Sequence, residues 1–133
     1  MNIRLYNARI LTMEPGREVF YGEVWVKNDK IAYVAEQKEL AEEWDKFQFP
    51  RIAWDIELDC KGNLLMPGFK NAHTHSGMTF LRSMADDLPL DQWLNKQVFP
   101  LEAKLTGEDI YELTRLAVLE YLTSGVTSIF DMY

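Results

Sequence analysis

Apolar and polar residues alternate in short runs through the first half of the chain, a pattern typical of β-strands with one buried face. The alternation predicts a first strand that begins near Ile3, a second over 20–26 and a third over 31–34. A polar turn at 28–30 joins the second and third strands, which indicates a hairpin. The run 52–60 alternates most strictly, and we expect it to form a fourth strand that buries one face.

In the second half of the chain, strand-like and helix-like segments follow one another. The sequence predicts a strand at 69–75, two short helical pieces within 77–98 and a further strand at 126–130. The earlier segment 38–48 can form either a short helix or a solvated loop. Strand, helix and strand in this order predict a βαβ unit, whose two strands lie parallel in one sheet.

The clearest helix of the sequence begins at Thr106. Its hydroxyl can accept a hydrogen bond from the free amides of the first turn, and Asp109, three residues later, completes a capping box. Gly125 is a typical helix stop, because glycine adopts the left-handed conformation that ends many helices. Apolar residues recur at helical spacing in between and predict one buried stripe, formed by Ile110, Leu113, Leu116, Ala117 and Leu122.

The chain therefore has two regions of different character, 1–66 and 67–133. The first predicts part of a small β domain and the second a single βαβ unit, so the expected fold class is α/β. Two parallel strands alone leave sheet edges that need partners. We therefore expect this chain to be a truncated, N-terminal portion of a longer protein.

The composition excludes several classes of protein. Among the 133 residues, 14 Lys and Arg stand against 21 Asp and Glu, and the formal charge of −7 argues against a nucleic-acid-binding surface. The single cysteine, Cys60, cannot form an internal disulfide. No apolar run approaches the ~20 residues that span a bilayer, and the first residues lack the apolar core of a signal peptide. We expect a cytoplasmic protein with no nucleic-acid or membrane partner.

The two histidines of the chain, His73 and His75, are its strongest chemical signal. On a strand, residues i and i+2 point to the same face, so both imidazoles can reach one ion. Neutral imidazole is a good ligand for zinc and other first-row metals. The pair also ends a predicted parallel strand, where the catalytic residues of α/β barrels gather. From position alone, two satisfied polar side chains at a strand end are an equally good interpretation.

The residues around the histidine pair resemble a known family. Pro67-Gly68-Phe69, followed by Asn71 and then His73-Thr74-His75, resembles the start of the barrel in the amidohydrolase superfamily. The stretch 78–94 is most similar to the 5-methylthioadenosine/S-adenosylhomocysteine deaminase family, within the cytosine deaminase and chlorohydrolase branch. The resemblance is loose over the whole chain and specific over 64–133.

The resemblance implies a (β/α)8 barrel, of the TIM type, preceded by a small β-sandwich built from both chain ends. In that fold, 1–66 would be the first half of the sandwich and 67–133 the first strand–helix–strand of the barrel. One divalent metal, zinc before iron(II) or manganese(II), would be held by His73 and His75 together with a histidine and an aspartate from later strands. A later glutamate would move protons. Because these later residues lie outside the chain, its catalytic residues are unknown and the 133-residue chain alone is predicted to be inactive.

The activity that the resemblance implies for the complete protein is hydrolytic deamination of adenosine thioethers, either 5-methylthioadenosine or S-adenosylhomocysteine. A metal-activated hydroxide would attack the purine and ammonia would leave. Guanine deaminase, cytosine deaminase and triazine chlorohydrolase are alternatives, because pocket shape selects the substrate within one fold. A non-catalytic fragment or scaffold that needs a partner is a third alternative, against which the histidine pair argues. The expected partner is a purine nucleoside thioether, and a homo-oligomer is left open.

Glu102 matches the family position that contacts the sugar hydroxyls of the substrate. A carboxylate can accept two hydrogen bonds from a vicinal diol, although a solvated carboxylate before a helix is the plainer interpretation. Trp93 and Phe99 can either wall an apolar pocket or simply pack against the barrel. Asp86 and Asp87 are interpreted as polar loop residues rather than an acid–base pair.

Overall fold

The computed structural model describes residues 1–40, 53–84 and 87–133 of the chain. Two of the sequence interpretations concern residues outside these ranges. Most of the short helix or loop considered at 38–48 is among the residues left undescribed, and Asp86 is another.

The described residues form two units, Met1–Pro67 and Gly68–Tyr133. The first unit is built from β-strands, whereas the second combines two strands with helices. The mixed α/β class predicted from the sequence is therefore confirmed.

The described residues of the first unit form a five-stranded sheet. Its strands are β1 (Asn2–Ile10), β2 (Phe20–Lys27), β3 (Lys30–Glu36), β4 (Ile56–Asp59) and β5 (Leu64–Leu65). β1 pairs antiparallel with β2 on one side, and on its other side it pairs parallel with β4 and β5. β3 continues the sheet beyond β2.

The hairpin predicted around 28–30 is present. β2 and β3 pair antiparallel with Lys27 opposite Lys30, which leaves a two-residue turn. Asn28 occupies the left-handed region in this turn, with φ of 59°. Asparagine tolerates that conformation better than most residues, so it suits a tight hairpin turn.

Alternation along β2 supplies apolar side chains to both faces of the sheet. Val24 belongs to one buried cluster, together with Ala8 and Ile10. Its neighbour Trp25 belongs to another, together with Ala35. The first unit therefore packs apolar residues on both sides of a single sheet.

The fourth strand is shorter and more exposed than its sequence pattern predicts. Among the described residues 53–60, regular strand structure covers Ile56–Asp59, and Ile56 and Leu58 are 47% and 55% exposed. The expectation that this strand buries one face is therefore wrong for the described residues. β4 is an edge strand whose main contact is β1, and an alternating pattern does not itself provide a layer to cover it.

In the second unit, the described residues form two parallel strands and the helices between them. The strands are β6 (Phe69–Thr74) and β7 (Val126–Asp131), and a 3₁₀ turn (Ser76–Leu81), helix α1 (90–102) and helix α2 (Gly107–Thr123) lie between them in sequence. The parallel pairing places Thr74 opposite Asp131. The C-terminal ends of the two strands therefore meet at one edge of the sheet.

Helix α2 begins at the capping box that its sequence predicts. The Thr106 hydroxyl accepts a hydrogen bond from the Asp109 N–H at 3.2 Å, and the Asp109 carboxylate accepts one from the Thr106 N–H at 2.8 Å. The helix ends before Gly125, which has the left-handed φ of 75°. Ala117 of the predicted stripe is buried, but Leu122 is 64% exposed, so the stripe is only partly covered. No helix in the described part of the chain is long and apolar enough to cross a lipid bilayer.

Candidate active site

The two histidines converge at the C-terminal end of β6. The Nε2 atoms of His73 and His75 lie 3.2 Å apart, and the ring planes are inclined at 83°. Tetrahedral zinc with Zn–N distances of about 2.0–2.1 Å places two ligand nitrogens about 3.4 Å apart. The two imidazole nitrogens therefore have close to the separation that one shared metal ion requires.

The backbone of each histidine is tied to a neighbouring residue. The side-chain oxygen of Asn71 accepts a hydrogen bond from the His73 N–H at 3.2 Å. β6 ends at Thr74, and His75 leaves the strand with φ of −134° and ψ of 77°. The His75 carbonyl then accepts a hydrogen bond from the Met78 N–H at 3.0 Å, which begins the 3₁₀ turn. These contacts fix the backbone positions from which the two imidazole side chains extend.

Asp131 supports the same backbone from the end of β7. Its Oδ1 atom accepts a hydrogen bond from the Ser76 N–H at 3.2 Å. The next residue, Met132, donates its N–H to the Thr74 carbonyl at 3.0 Å. The peptide groups on both sides of His75 are therefore anchored to β7.

The histidine pair fits a metal in donor type and spacing, but it is an incomplete ligand set. Catalytic zinc has three protein ligands and a water. Within the described ranges, no cluster of three or more His, Cys, Asp and Glu side chains is arranged to hold a metal. The described residues would thus supply two ligands.

His75 borders a cavity of about 420 Å³ in the second unit. Glu102, at the end of α1, borders the same cavity, and Trp93 and Phe99 form part of its walls. A cavity of this size is within the range of small-molecule sites, which combine apolar walls with a few polar groups. The structure therefore brings together His75, Glu102 and the two aromatic residues that the sequence singled out.

A wide turn in α1 directs its side chains into this cavity. Trp93–Val98 is π-helical, and the Phe99 N–H donates its hydrogen bond to the carbonyl of Leu94, five residues earlier. In a regular α-helix, residues nine positions apart, such as Trp93 and Glu102, lie about 180° apart around the axis. One extra residue in the turn reduces this angle to about 80°, so both side chains can border one cavity.

Pro100 accounts for the wide turn. A proline in a helix has no N–H to donate, and its ring clashes with the carbonyl four residues earlier, here that of Lys96. Widening the preceding turn relieves this clash. The sequence interpretation of 77–98 as two short helical pieces did not include the π-turn, although Pro100 was the available signal for it.

Tyr133 and Gly77 are site residues that the sequence interpretation did not identify. Tyr133 borders the cavity, where burial and the nearby carboxylate of Glu102 raise the pKa of the phenol. A Cβ atom on Gly77 would lie only 2.6 Å from the Tyr133 ring. Glycine is therefore what allows the ring to pack beside Glu102. No sequence motif marks either residue, because the contact joins distant parts of the chain.

Comparison with known proteins identifies related sequences. The pattern that defines the amidohydrolase family matches residues 64–133, just over half of the chain. A 5-methylthioadenosine/S-adenosylhomocysteine deaminase from Caldicellulosiruptor saccharolyticus is 39% identical over 133 residues. A 5′-deoxyadenosine deaminase from Methanosarcina mazei is 41% identical over 134 residues.

These relatives are much longer than the chain. The alignments cover 100% and 99% of this chain but only 29% and 28% of the two relatives. Among solved structures, an adenosine deaminase from Xanthomonas campestris with bound zinc is similar, with a TM-score of 0.82 and 34% sequence identity. That match covers 98% of this chain and 28% of the other. The chain therefore spans less than a third of the proteins it resembles.

Proposed function

The chain belongs to the amidohydrolase family, and from this premise we propose that the complete protein is a metal-dependent hydrolytic deaminase of adenosine thioethers. Its substrates would be 5-methylthioadenosine or S-adenosylhomocysteine, converted to the inosyl product and ammonia. The observation that carries this proposal is the convergence of His73 and His75, together with the cavity that His75 and Glu102 both border. Relatives named for this activity support the substrate class.

His73 and His75 are the proposed ligands of a single divalent metal. Zinc is favoured over iron(II) and manganese(II), because the nitrogen spacing suits a tetrahedral ion and the similar deaminase from Xanthomonas campestris holds zinc. Bound zinc lowers the pKa of water towards neutrality and so supplies a nucleophile. The contribution of this chain is to fix two imidazoles in place. The resemblance to the family assigns the remaining ligands and a proton-moving glutamate to later strands.

Glu102 is the proposed contact for the sugar of the substrate. Its carboxylate can accept hydrogen bonds from both hydroxyls of a vicinal diol. Tyr133 borders the same cavity as this carboxylate. Trp93 and Phe99 offer aromatic surface for the purine or the thioether tail.

An ammonia-release assay tests the proposed activity. The complete protein, expressed from its own reading frame and loaded with zinc, is assayed with 5-methylthioadenosine, S-adenosylhomocysteine, guanine, cytosine and a chlorotriazine. We expect the highest kcat/KM with one of the two thioethers. Release from guanine, cytosine or the triazine and from no adenosine derivative would remove the proposal.

A second assay tests the role of Glu102. Glu102→Gln should lower kcat/KM for the ribonucleoside by about tenfold or more, as expected for hydrogen bonds to a charged group. Turnover of free adenine, which has no sugar, should change little. Glu108→Gln, an exposed carboxylate in the first turn of α2, is the matched control. Equal losses on ribonucleoside and free base would contradict the assignment.

Deamination of 5′-deoxyadenosine is a second candidate function. The relative from Methanosarcina mazei is named for this activity and is 41% identical to the chain. This substrate keeps the vicinal diol that Glu102 would bind, but it lacks the sulfur and its substituent. A higher kcat/KM with 5′-deoxyadenosine than with either thioether would favour this candidate.

A further inference from the structure

We propose that Tyr121 positions His75 as a metal ligand by binding the side chains on both sides of it. The Tyr121 hydroxyl lies 2.5 Å from the Thr74 hydroxyl and 2.9 Å from the Ser76 hydroxyl. One tyrosine hydroxyl on α2 is therefore hydrogen-bonded to the side chains of the residues before and after His75. This inference rests on the proposed metal role of His73 and His75, and extends it to a residue of α2.

The hydroxyls on both sides of His75 share one partner. Thr74 is the last residue of β6 and Ser76 the first residue of the 3₁₀ turn, and both hydroxyls lie within hydrogen-bond distance of the Tyr121 hydroxyl. Ser76 is 1% exposed, so its hydroxyl depends on protein partners. The hydrogen bond to Tyr121 satisfies it, which also leaves Ser76 unsuited to act as a nucleophile with His75.

The Tyr121 hydroxyl connects Thr74 and Ser76 to α2, whereas their backbone hydrogen bonds connect them to the end of β7. Hydrogen bonds to Asp131 and Met132 already tie the peptide groups of Ser76 and Thr74 to β7. His75 itself has neither strand nor helix geometry, so its placement depends on its two neighbours. Tyr121 holds the side chains of those neighbours to α2. A hydroxyl that both donates and accepts can serve the two partners at once.

The substitution Tyr121→Phe removes this hydroxyl and keeps the ring. We expect the zinc affinity of the complete protein to fall about tenfold, the lower end of the range for residues that support metal ligands. The lower end is expected because a cavity of about 180 Å³ borders Thr74, Ser76 and Tyr121. Water entering it can replace part of the lost hydrogen bonding.

The test measures zinc affinity by competition with a chromophoric chelator, using the complete protein from its own reading frame. Tyr111→Phe, on the same helix and 60% exposed, is the matched control. Thr74→Val removes one of the two hydrogen bonds and should cause a smaller loss. If Tyr121 acts through Thr74, the double variant should lose less than the two single losses combined.

A purely structural role would give a different result. It would lower the thermal midpoint of the metal-free protein with Tyr121→Phe while zinc affinity stayed within about twofold of the Tyr111→Phe control. That outcome overturns the proposal. If Tyr121→Phe does not fold, Thr74→Val provides the test instead. Unchanged zinc affinity in Thr74→Val would equally overturn the positioning role of Tyr121.

The variant His73→Ala separates this proposal from the proposed function. If His73→Ala leaves zinc affinity unchanged, the metal site and the function built on it both fail. If His73→Ala abolishes tight zinc binding while Tyr121→Phe has no effect, only the positioning role of Tyr121 fails.

Discussion

Adding one methyl group at Gly77 should disturb the cavity through Tyr133. Gly77 is not one of the described glycines with positive φ, so alanine is compatible with its backbone and the effect is steric. The alanine Cβ would lie 2.6, 2.8 and 2.9 Å from three carbons of the Tyr133 ring. Ordinary van der Waals contact begins at 3.4 Å, so the ring has to retreat by about 0.8 Å.

The expected change in the free energy of unfolding is the difference between two opposing effects. Overpacking of this kind costs about 1–3 kcal/mol, and the lower entropy of alanine in the unfolded chain returns about 0.4–1 kcal/mol. We therefore expect Gly77→Ala to lower the free energy of unfolding by about 1–2 kcal/mol. Tyr133 and Glu102 border the same cavity, so displacement of the ring also changes the surroundings of the carboxylate. Since misplacement by about 1 Å can cost a hundredfold in rate, we expect kcat/KM for the ribonucleoside to fall about tenfold.

Thermal unfolding and ammonia release of the complete protein measure both effects. Gly107→Ala is the control, because a Cβ there meets nothing within 4 Å. In a Tyr133→Ala background the ring is gone, so Gly77→Ala should cost much less. A steric clash with Tyr133 is excluded if Gly77→Ala behaves like Gly107→Ala, or if Gly77→Ala destabilises the Tyr133→Ala protein as much as the unsubstituted protein.

Three further predictions concern stability and the isolated chain. Thr106→Ala should lower the free energy of unfolding by about 1 kcal/mol because α2 loses its N-cap, whereas Thr106→Ser keeps the hydroxyl; equal losses in denaturant titrations would contradict this. Hydrogen bonds from Arg82 lower the pKa of Glu120, so the pair contributes stability above the ordinary carboxyl pKa and loses it as pH falls through the depressed value. Acid unfolding of Arg82→Met should therefore depend less on pH in that window than acid unfolding of the unsubstituted protein, and identical curves would exclude a contribution from the pair. The 133-residue chain alone should release no ammonia with zinc present, because two ligands hold zinc weakly, and metal-dependent turnover by this chain would contradict the prediction.

Features that depend on residues close together in the sequence were predictable from the sequence. Thr106 and Asp109 form a capping box within one turn, so the start of α2 follows from four residues. The hairpin likewise depends on one polar turn. Burial of β4 was not predictable in the same way. Leu58 occupies an apolar position of the alternating pattern and is nevertheless 55% exposed. Alternation states which side chains share a face, but a covering layer has to come from elsewhere in the fold.

The same distinction applies within the candidate site. His73 and His75 are two residues apart, and strand geometry alone brings their side chains to one face. The groups that would hold them and shape the cavity are distant in sequence: Tyr121 contacts Thr74 across 47 positions, and Tyr133 packs on Gly77. Spacing cannot reveal such contacts, because they exist only once β6, α2 and β7 have packed together. The proposed ligands are therefore recognisable from a short motif, whereas the precision of their placement depends on residues that no motif contains. Substitutions at Tyr121 and Gly77 are accordingly more informative about this site than further changes at the histidines, because they test whether the packed unit positions the motif.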